Sequence, residues 1–225
     1  MYIIMLGAPG TGKGTIGSEL CKHYNLNHVS TGDIFREEIK NKTELGVIAE
    51  KYISQGKLVP DEITLKMVEK RLEKDENVIL DGFPRTIEQA EALKRFLRGD
   101  NRKVTTVTTV INLLVPDEDI IKRTSSRIVC SNKKCGASYN PKFMPPKVEG
   151  ICDKCGSELI KRKDDEPETI KHRLEEYYKN TEPLVKYYES EGILEPIEID
   201  IYSPTTKEDT TKEAIKRIEQ HLNKQ

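Results

Sequence analysis

A glycine-rich stretch, Gly7-Ala8-Pro9-Gly10-Thr11-Gly12-Lys13-Gly14-Thr15, stands between the apolar run Tyr2-Ile3-Ile4-Met5-Leu6 and a segment whose apolar residues Ile16, Leu20 and Tyr24 recur every four positions. That order predicts strand, glycine loop, helix. A backbone that curls closely around an anion, with its N–H groups aimed inward, leaves no room for Cβ atoms, which is why glycines gather in such a loop. A helix starting near Lys13 adds the positive end of its dipole, and Lys13 adds a mobile cation for the outer phosphates. Gly7, Gly12 and Lys13 stand at phosphate-loop spacing directly after a strand pattern, which favours this reading over an ordinary Gly/Pro turn. Gly10, Gly12, Lys13, Gly14 and Thr15 are thus candidates to bind a nucleotide phosphate chain. Gly14 takes the place of the usual Ser or Thr after the lysine, so the hydroxyl that commonly meets magnesium is displaced to Thr15.

Downstream, strand and helix patterns alternate. His28-Val29 enters a second short strand, and Ser30-Thr31-Gly32-Asp33 opens two helical stretches, roughly 34–41 and 45–54. Asp61 reads as the cap of a helix running through Leu72, Asn77 to Asp81 as a buried strand, and Thr86 to Leu97 as a helix. A strand over 107–115, a helix from Pro116-Asp117 through Ser125, a last strand over 197–201 and a final helix over 207–222 follow. Strands separated by helices predict an α/β fold, a parallel sheet covered by helices on both faces. Between Arg127 and Asp165 the texture changes to Lys, Pro, Gly and Cys without helical period, which reads as an insert of short hairpins. Asp165-Glu166-Pro167-Glu168 then suggests a cap, an early proline and a capping glutamate for a long helix. Its apolar side would carry Ile170, Leu174, Tyr177, Tyr178, Leu184 and Val185, with a kink at Pro183.

The 37 basic residues nearly balance 38 acidic ones, so no overall attraction to nucleic acid or an anionic membrane is expected. No apolar run approaches the ~18 residues of a membrane span. The first residues, without basic side chains, read as structure and not as a secretion signal. Five cysteines, an odd number, favour a reducing compartment, and the cytoplasm is the expected location.

Asp81-Gly82-Phe83-Pro84-Arg85-Thr86 lies at the carboxyl end of a strand, the edge of a parallel sheet where ligands bind. A carboxylate there stands beside the phosphate loop and suits a role near Mg²⁺, beyond that of a turn residue. The fork of Arg85 suits a second phosphate.

These blocks, with Ser30-Thr31-Gly32-Asp33-Ile34-Phe35-Arg36 and Lys57-Leu58-Val59-Pro60-Asp61-Glu62, closely resemble the adenylate kinases over nearly the whole chain. The resemblance implies a phosphate-loop kinase core (1–29, 60–126 and 165–225), an AMP-binding insert (30–59) and a lid (127–164). It implies reversible, Mg²⁺-dependent transfer, ATP + AMP = 2 ADP, by a monomer with no nucleic-acid or membrane partner. Lys13 would hold the donor phosphates, Arg36 and Arg85 the AMP phosphate, and Thr31 and Gln89 the adenine of AMP, with Leu58, Val59 and Gly82 around it. Arg123 would lie on the ATP adenine, Arg127, Arg162 and Arg173 would reach the transferring group, and Asp164 would lock the closed lid. The chemistry agrees, because phosphoryl transfer asks for alignment and concentrated positive charge and little else. An ionised AMP phosphate needs no general base.

Cys130-x4-Cys135-x16-Cys152-x2-Cys155 has the spacing of a structural tetrathiolate zinc site in an insert too small to build a core; disulfides are the alternative. It resembles the zinc-bearing lids of bacterial and archaeal adenylate kinases, although such lids usually separate the first pair by two residues and not four. Ile128 stands where related lids often carry a second arginine, and Ile201 follows Asp200 where glycine is common. Cys21 reads as a small core residue, and His23, His28, His172 and His221 as surface or packing residues. Two rivals from other classes explain less. A zinc-ribbon nucleic-acid binder leaves the phosphate loop unused, and a nucleotide sensor without turnover has no need of so many arginines. A UMP or CMP kinase is the alternative enzyme, against which Thr31, Gln89 and the long lid argue.

Overall fold

Every residue of the first strand, β1 (Tyr2–Leu6), is buried, as a strand covered on both faces requires. In the computed structural model, which describes residues 1–73, 75–99, 106–132, 135–142, 144–198 and 207–223, β1 is the middle strand of a five-stranded sheet. The chain passes through α1 (Lys13–Tyr24), β2 (Asn27–Ser30), α2 (Thr31–Lys40), α3 (Glu44–Ile53), α4 (Asp61–Leu72), β3 (Val78–Asp81) and α5 (Ile87–Leu97). It continues through β4 (Thr109–Leu114) and α6 (Asp117–Ser125) into three short strands, β5 (Ile128–Cys130), β6 (Ser138–Tyr139) and β7 (Leu159–Lys161). Helices α7 (Pro167–Glu176) and α8 (Pro183–Ser190), strand β8 (Leu194–Glu198) and helix α9 (Lys207–Leu222) complete it.

The large sheet runs β2-β3-β1-β4-β8, all parallel, so the chain crosses to opposite sides of β1 to reach β3 and β4. That reversal opens a crevice at the carboxyl end of β1, where the glycine loop begins. The fold is therefore the expected α/β architecture. Tyr2, Ile4 and Leu6 join one core with Val68, Leu72, Leu93, Leu97 and Leu184, while Ile3 and Met5 join the other with Ile16, Leu20, Ile111, Ile215 and Ile218. The period-2 alternation of one strand thus nails both helical layers to the sheet. Truncating Ile4, 0% exposed, to Ala costs about 2–5 kcal/mol.

The small strands form a separate antiparallel sheet, β6-β5-β7. Its apolar cluster is little more than Cys130, Ala137, Tyr139, Cys152 and Leu159, too few to hold such a piece by burial alone.

Several local readings change. Helix α4 is capped by Pro60 with no side-chain bond, and Asp61 is its first residue, its carboxylate turned to Thr86 and Gln89. Asp165 does not cap α7 either, because it is taken by arginines. In place of a simple kink at Pro183, a π-helical turn over Tyr177–Thr181 precedes it, and Pro183 begins α8, where its missing N–H costs nothing. That turn swings Tyr178 out to 43% exposure, where its hydroxyl donates to Asp117. Strand β8 starts earlier than expected, and residues 199–201, with the Asp200-Ile201 departure, lie outside the described residues. Among the described residues no helix is long and apolar enough to cross a membrane.

Candidate active site and cysteine cluster

The glycine loop bends with positive φ at Gly7, Gly10 and Gly12 (131°, 91° and 103°), conformations open to glycine and strained for other residues. It lines a cavity of about 530 Å³ together with Thr15, Asp81, Arg85, Arg123, Arg127, Arg162 and Arg173. Lys13 folds over its own loop: Nζ donates to the carbonyls of Gly7 (2.7 Å) and Ala8 (2.8 Å). Loss of hydration in this crowded site, with Arg85, Arg173 and Arg127 nearby and only Asp81 opposing, lowers its pKa to about 8. Asp81 does stand beside the loop. Its Oδ2 would lie 3.4 Å from a Cβ at Gly14. Burial works against its charge, but His28, Lys13 and Arg85 outweigh that and hold its carboxyl below the usual range.

A second cavity of about 60 Å³ adjoins the first, and Thr31, Arg36, Leu58, Val59, Gly82, Arg85 and Gln89 all line it. Thr31, 2% exposed, donates from its hydroxyl to the Gly82 carbonyl at 2.8 Å. Ser30 caps α2 through the Asp33 N–H, so the helix begins with Thr31 already facing this space. Phe35, Ile53, Leu58 and Val59 supply apolar walls. The turn at Gly56, φ 73°, packs so tightly on α7 that a Cβ there would stand 2.9 Å from the Thr169 carbonyl oxygen and 3.1 Å from His172 Cβ.

Arg36, Arg85 and Arg173 line both cavities. Arg85 Nε donates to the Gly82 carbonyl at 2.8 Å, and its own carbonyl accepts from Thr181, which joins the motif to the π-helical turn. Burial, then the repulsion of Arg173, brings the Arg85 pKa down to about 10, and burial with Arg127 and Arg36 does the same to Arg162. Seven Lys and Arg side chains line the larger cavity against three carboxylates, Asp33, Asp81 and Glu176, an excess that suits phosphate. Asp164 meets Arg173 at 3.1 Å and Arg36 at 3.8 Å, spanning from the small-sheet segment to α2. Burial opposes its charge, yet Arg173 and Arg36 hold its carboxyl low. Arg123 leaves Nη1 buried with no partner among the described residues, while its carbonyl accepts from Asn140 in the small-sheet segment.

The four cysteines outside α1 come together. Sγ atoms of Cys130, Cys135, Cys152 and Cys155 lie within 4.8 Å of one another, with Cys130–Cys155 at 3.4 Å and Cys135–Cys152 at 3.6 Å. All are free thiols. Four thiolates about 2.3 Å from one ion stand about 3.8 Å apart, so the spacing fits tetrahedral zinc. The longer first spacing is absorbed between Cys130 and Cys135, and Lys133 and Lys134 there lie outside the described residues. Asp153 faces away, its carboxylate accepting from the Lys147 N–H. Ile128 is part of β5.

Three residues not singled out as site members join it. His28, read as surface or packing, lines the larger cavity with Nε2 3.6 Å from Asp81; burial opposes its charge, but Asp81 prevails and raises its pKa. His28 is the second residue of β2, and no neighbour along the chain signals its place at the cavity. Asp165 binds Arg127, and Asp61 binds Gln89. His221, by contrast, bonds Glu195 and Thr109 away from the cleft, His172 is exposed beside Glu175, and Cys21 is half-buried against the second core.

The family model described as Adenylate kinase matches residues 5–193. A protein called adenylate kinase from Caldicellulosiruptor bescii is 48% identical over 221 residues, 97% of this chain and 99% of that one. Adenylate kinases from Acetivibrio thermocellus (48% over 221 residues, 97% and 98%) and Clostridium botulinum strain Hall (50% over 200 residues, 88% and 90%) are similar as well.

Proposed function

The chain belongs to the adenylate kinase family, and from that premise we propose how its residues divide the work of moving a phosphoryl group from ATP to AMP. The activity is that of a nucleoside monophosphate kinase, a phosphotransferase acting on ATP, AMP and ADP with Mg²⁺. One observation supports the division best: two cavities, one floored by the glycine loop and one walled by Thr31, Leu58, Val59 and Gln89, share Arg36, Arg85 and Arg173 along their boundary. Gly10, Gly12, Lys13, Gly14 and Thr15 cradle the ATP phosphates, with Arg123 on the base. Thr31 and Gln89 meet the adenine of AMP, Gly82 leaves its carbonyl to orient Thr31 and Arg85, and Arg36 and Arg85 hold the AMP phosphate.

In the transfer, an AMP phosphate oxygen bonds to the γ-phosphorus as the bond to the β-bridging oxygen breaks, and ADP leaves on both sides. The nucleophile is already ionised, so no side chain need take a proton. Lys13, Arg127, Arg162 and Arg173 neutralise the charge spread over the moving group, and closure brings them in without bulk water. Asp81, its carboxyl held below the usual range, is the carboxylate suited to the hydration shell of an ATP-borne Mg²⁺, which would supply further charge neutralisation. Residues 30–59 act as the AMP-binding insert and 127–164 as the lid on the core. Cys130, Cys135, Cys152 and Cys155 hold one Zn²⁺; four thiolates leave no open position, so it is structural. The protein works as a cytoplasmic monomer.

A panel of monophosphates with ATP tests this division. AMP is the expected acceptor by a wide margin over UMP and CMP, and UMP turnover equal to that of AMP would reject the assignment of Thr31 and Gln89.

A further inference from the structure

Gln89 is 1% exposed, and both ends of its amide are engaged by the protein. Its Oε1 accepts from the Arg85 N–H at 2.8 Å, and its Nε2 donates to Asp61 Oδ1 at 2.6 Å. The other oxygen of Asp61 accepts from the Thr86 hydroxyl at 2.7 Å, and Thr86 Oγ1 in turn accepts from the Gln89 N–H at 3.1 Å. A primary amide has nearly the same shape when turned over, so its partners decide which end points where. Here they decide without ambiguity. An ionised carboxylate can only accept, and a backbone N–H can only donate, so a reversed amide would set oxygen against oxygen and N–H against N–H. One N–H and one lone pair of Gln89 remain for the cavity that it lines with Thr31, Leu58 and Val59.

Resting on the reading that Gln89 meets the acceptor base, we infer that Asp61 is a positioning residue for base choice: its carboxylate locks the Gln89 amide in the orientation that selects a 6-amino purine over a 6-oxo purine. Adenine offers a ring acceptor beside an amino donor, which matches an amide with its N–H and its oxygen set in one fixed order. Hypoxanthine carries an oxygen in place of that amine and a protonated N1, so it matches the reversed order. The lock penalises that reversal. It also explains an acidic residue at the start of α4 that does not cap the helix.

Asp61→Asn tests the lock, because the new amide can donate or accept and no longer dictates what faces it. Expected is a tenfold fall in the preference for AMP over inosine monophosphate, measured as the ratio of kcat/KM values, about the worth of one charge-assisted hydrogen bond. The change should sit in KM for the monophosphate, with KM for ATP and kcat at saturating AMP within about twofold. Added to Gln89→Ala, the substitution should do nothing further. A wild-type preference in Asp61→Asn, alongside a lost one in Gln89→Ala, overturns the lock and leaves the base-reading role of Gln89 intact. An undiminished preference in Gln89→Ala overturns both, and an Asp61→Asn effect that persists in the Gln89→Ala background marks a structural role and overturns the lock. Should Asp61→Asn fail to fold, Thr86→Val, which frees the second carboxylate oxygen, is expected to shift the preference in the same direction, and an unshifted one counts against the lock.

Discussion

Asp165 grips one edge of Arg127 with both carboxylate oxygens, Nε donating to Oδ2 at 2.8 Å and Nη2 to Oδ1 at 2.5 Å. Arg127 follows α6 at the point where the chain leaves for the small sheet, and Asp165 stands where it returns to α7. The pair therefore clips together the two stems of the cysteine-bearing segment. The same carboxylate also faces Arg173 at 3.5 Å, so the clip sets two arginines that line the larger cavity at once.

Asp165→Asn keeps the shape and removes the charge that orients both guanidinium groups. With the pair largely buried, kcat/KM is expected to fall by about 2 kcal/mol, roughly thirtyfold, with a lowered melting temperature. Steady-state kinetics alongside thermal melts check this, and turnover within threefold of the parent would remove the clip from the closing machinery.

Arg85→Ala removes a guanidinium from the boundary of the two cavities, where we propose that it holds the AMP phosphate, and kcat/KM is expected to drop by about 2 kcal/mol or more. The fold should survive, since among the described residues the side chain bonds only the Gly82 carbonyl. Near-normal kinetics in a folded variant would take Arg85 out of the site.

Lys13 makes ATP binding depend on pH in a definite direction. Its pKa in the folded protein is about 8, below the ordinary lysine value of 10.5. The charged form therefore costs stability below pH 8, and that cost fades as pH rises towards 10.5. A triphosphate restores the charge, so binding above pH 8 takes up a proton and weakens about tenfold per pH unit. Calorimetry at pH 9 in buffers of different ionisation heat is expected to show uptake of most of one proton, lost in Lys13→Met. Uptake that is absent in the parent, or retained in that variant, assigns the titration elsewhere.

Removal of zinc is expected to loosen the small sheet and spare the arginines that line the two cavities, which stand outside the cysteine cluster. Chelation or Cys152→Ser should lower the melting temperature and leave part of the activity at low temperature. Elemental analysis of protein purified under reducing conditions should find one zinc per chain; four titratable thiols and no bound metal would sink the assignment.

What was readable along the chain was what local chemistry demands. Glycines at 7, 10 and 12, a lysine at the helix start and a carboxylate ending β3 each follow from a short-range need, and the structure puts them around one cavity. What escaped was competition between local and distant partners. Asp61 and Asp165 both carry the pattern of a helix cap, worth about 1 kcal/mol, yet each has a stronger partner far along the chain, Gln89 and Arg127 respectively. Nothing near His28 announces that β2 lies beside β3 and so brings it to Asp81. The π-helical turn that turns Tyr178 outward likewise answers to Thr181 bonding the Arg85 carbonyl, not to its own residues.

Gly56 has the plainest reach of any residue away from the phosphates. Helix α7 continues from Asp164 and Asp165, carries Arg173, and offers Thr169 and His172 as the floor on which the Gly56 turn rests. The Gly56 turn and the stem that returns from the small sheet thus meet the same helix. A displacement of α7 would therefore reach both cavities at once, through Gly56 on one side and Arg173 on the other.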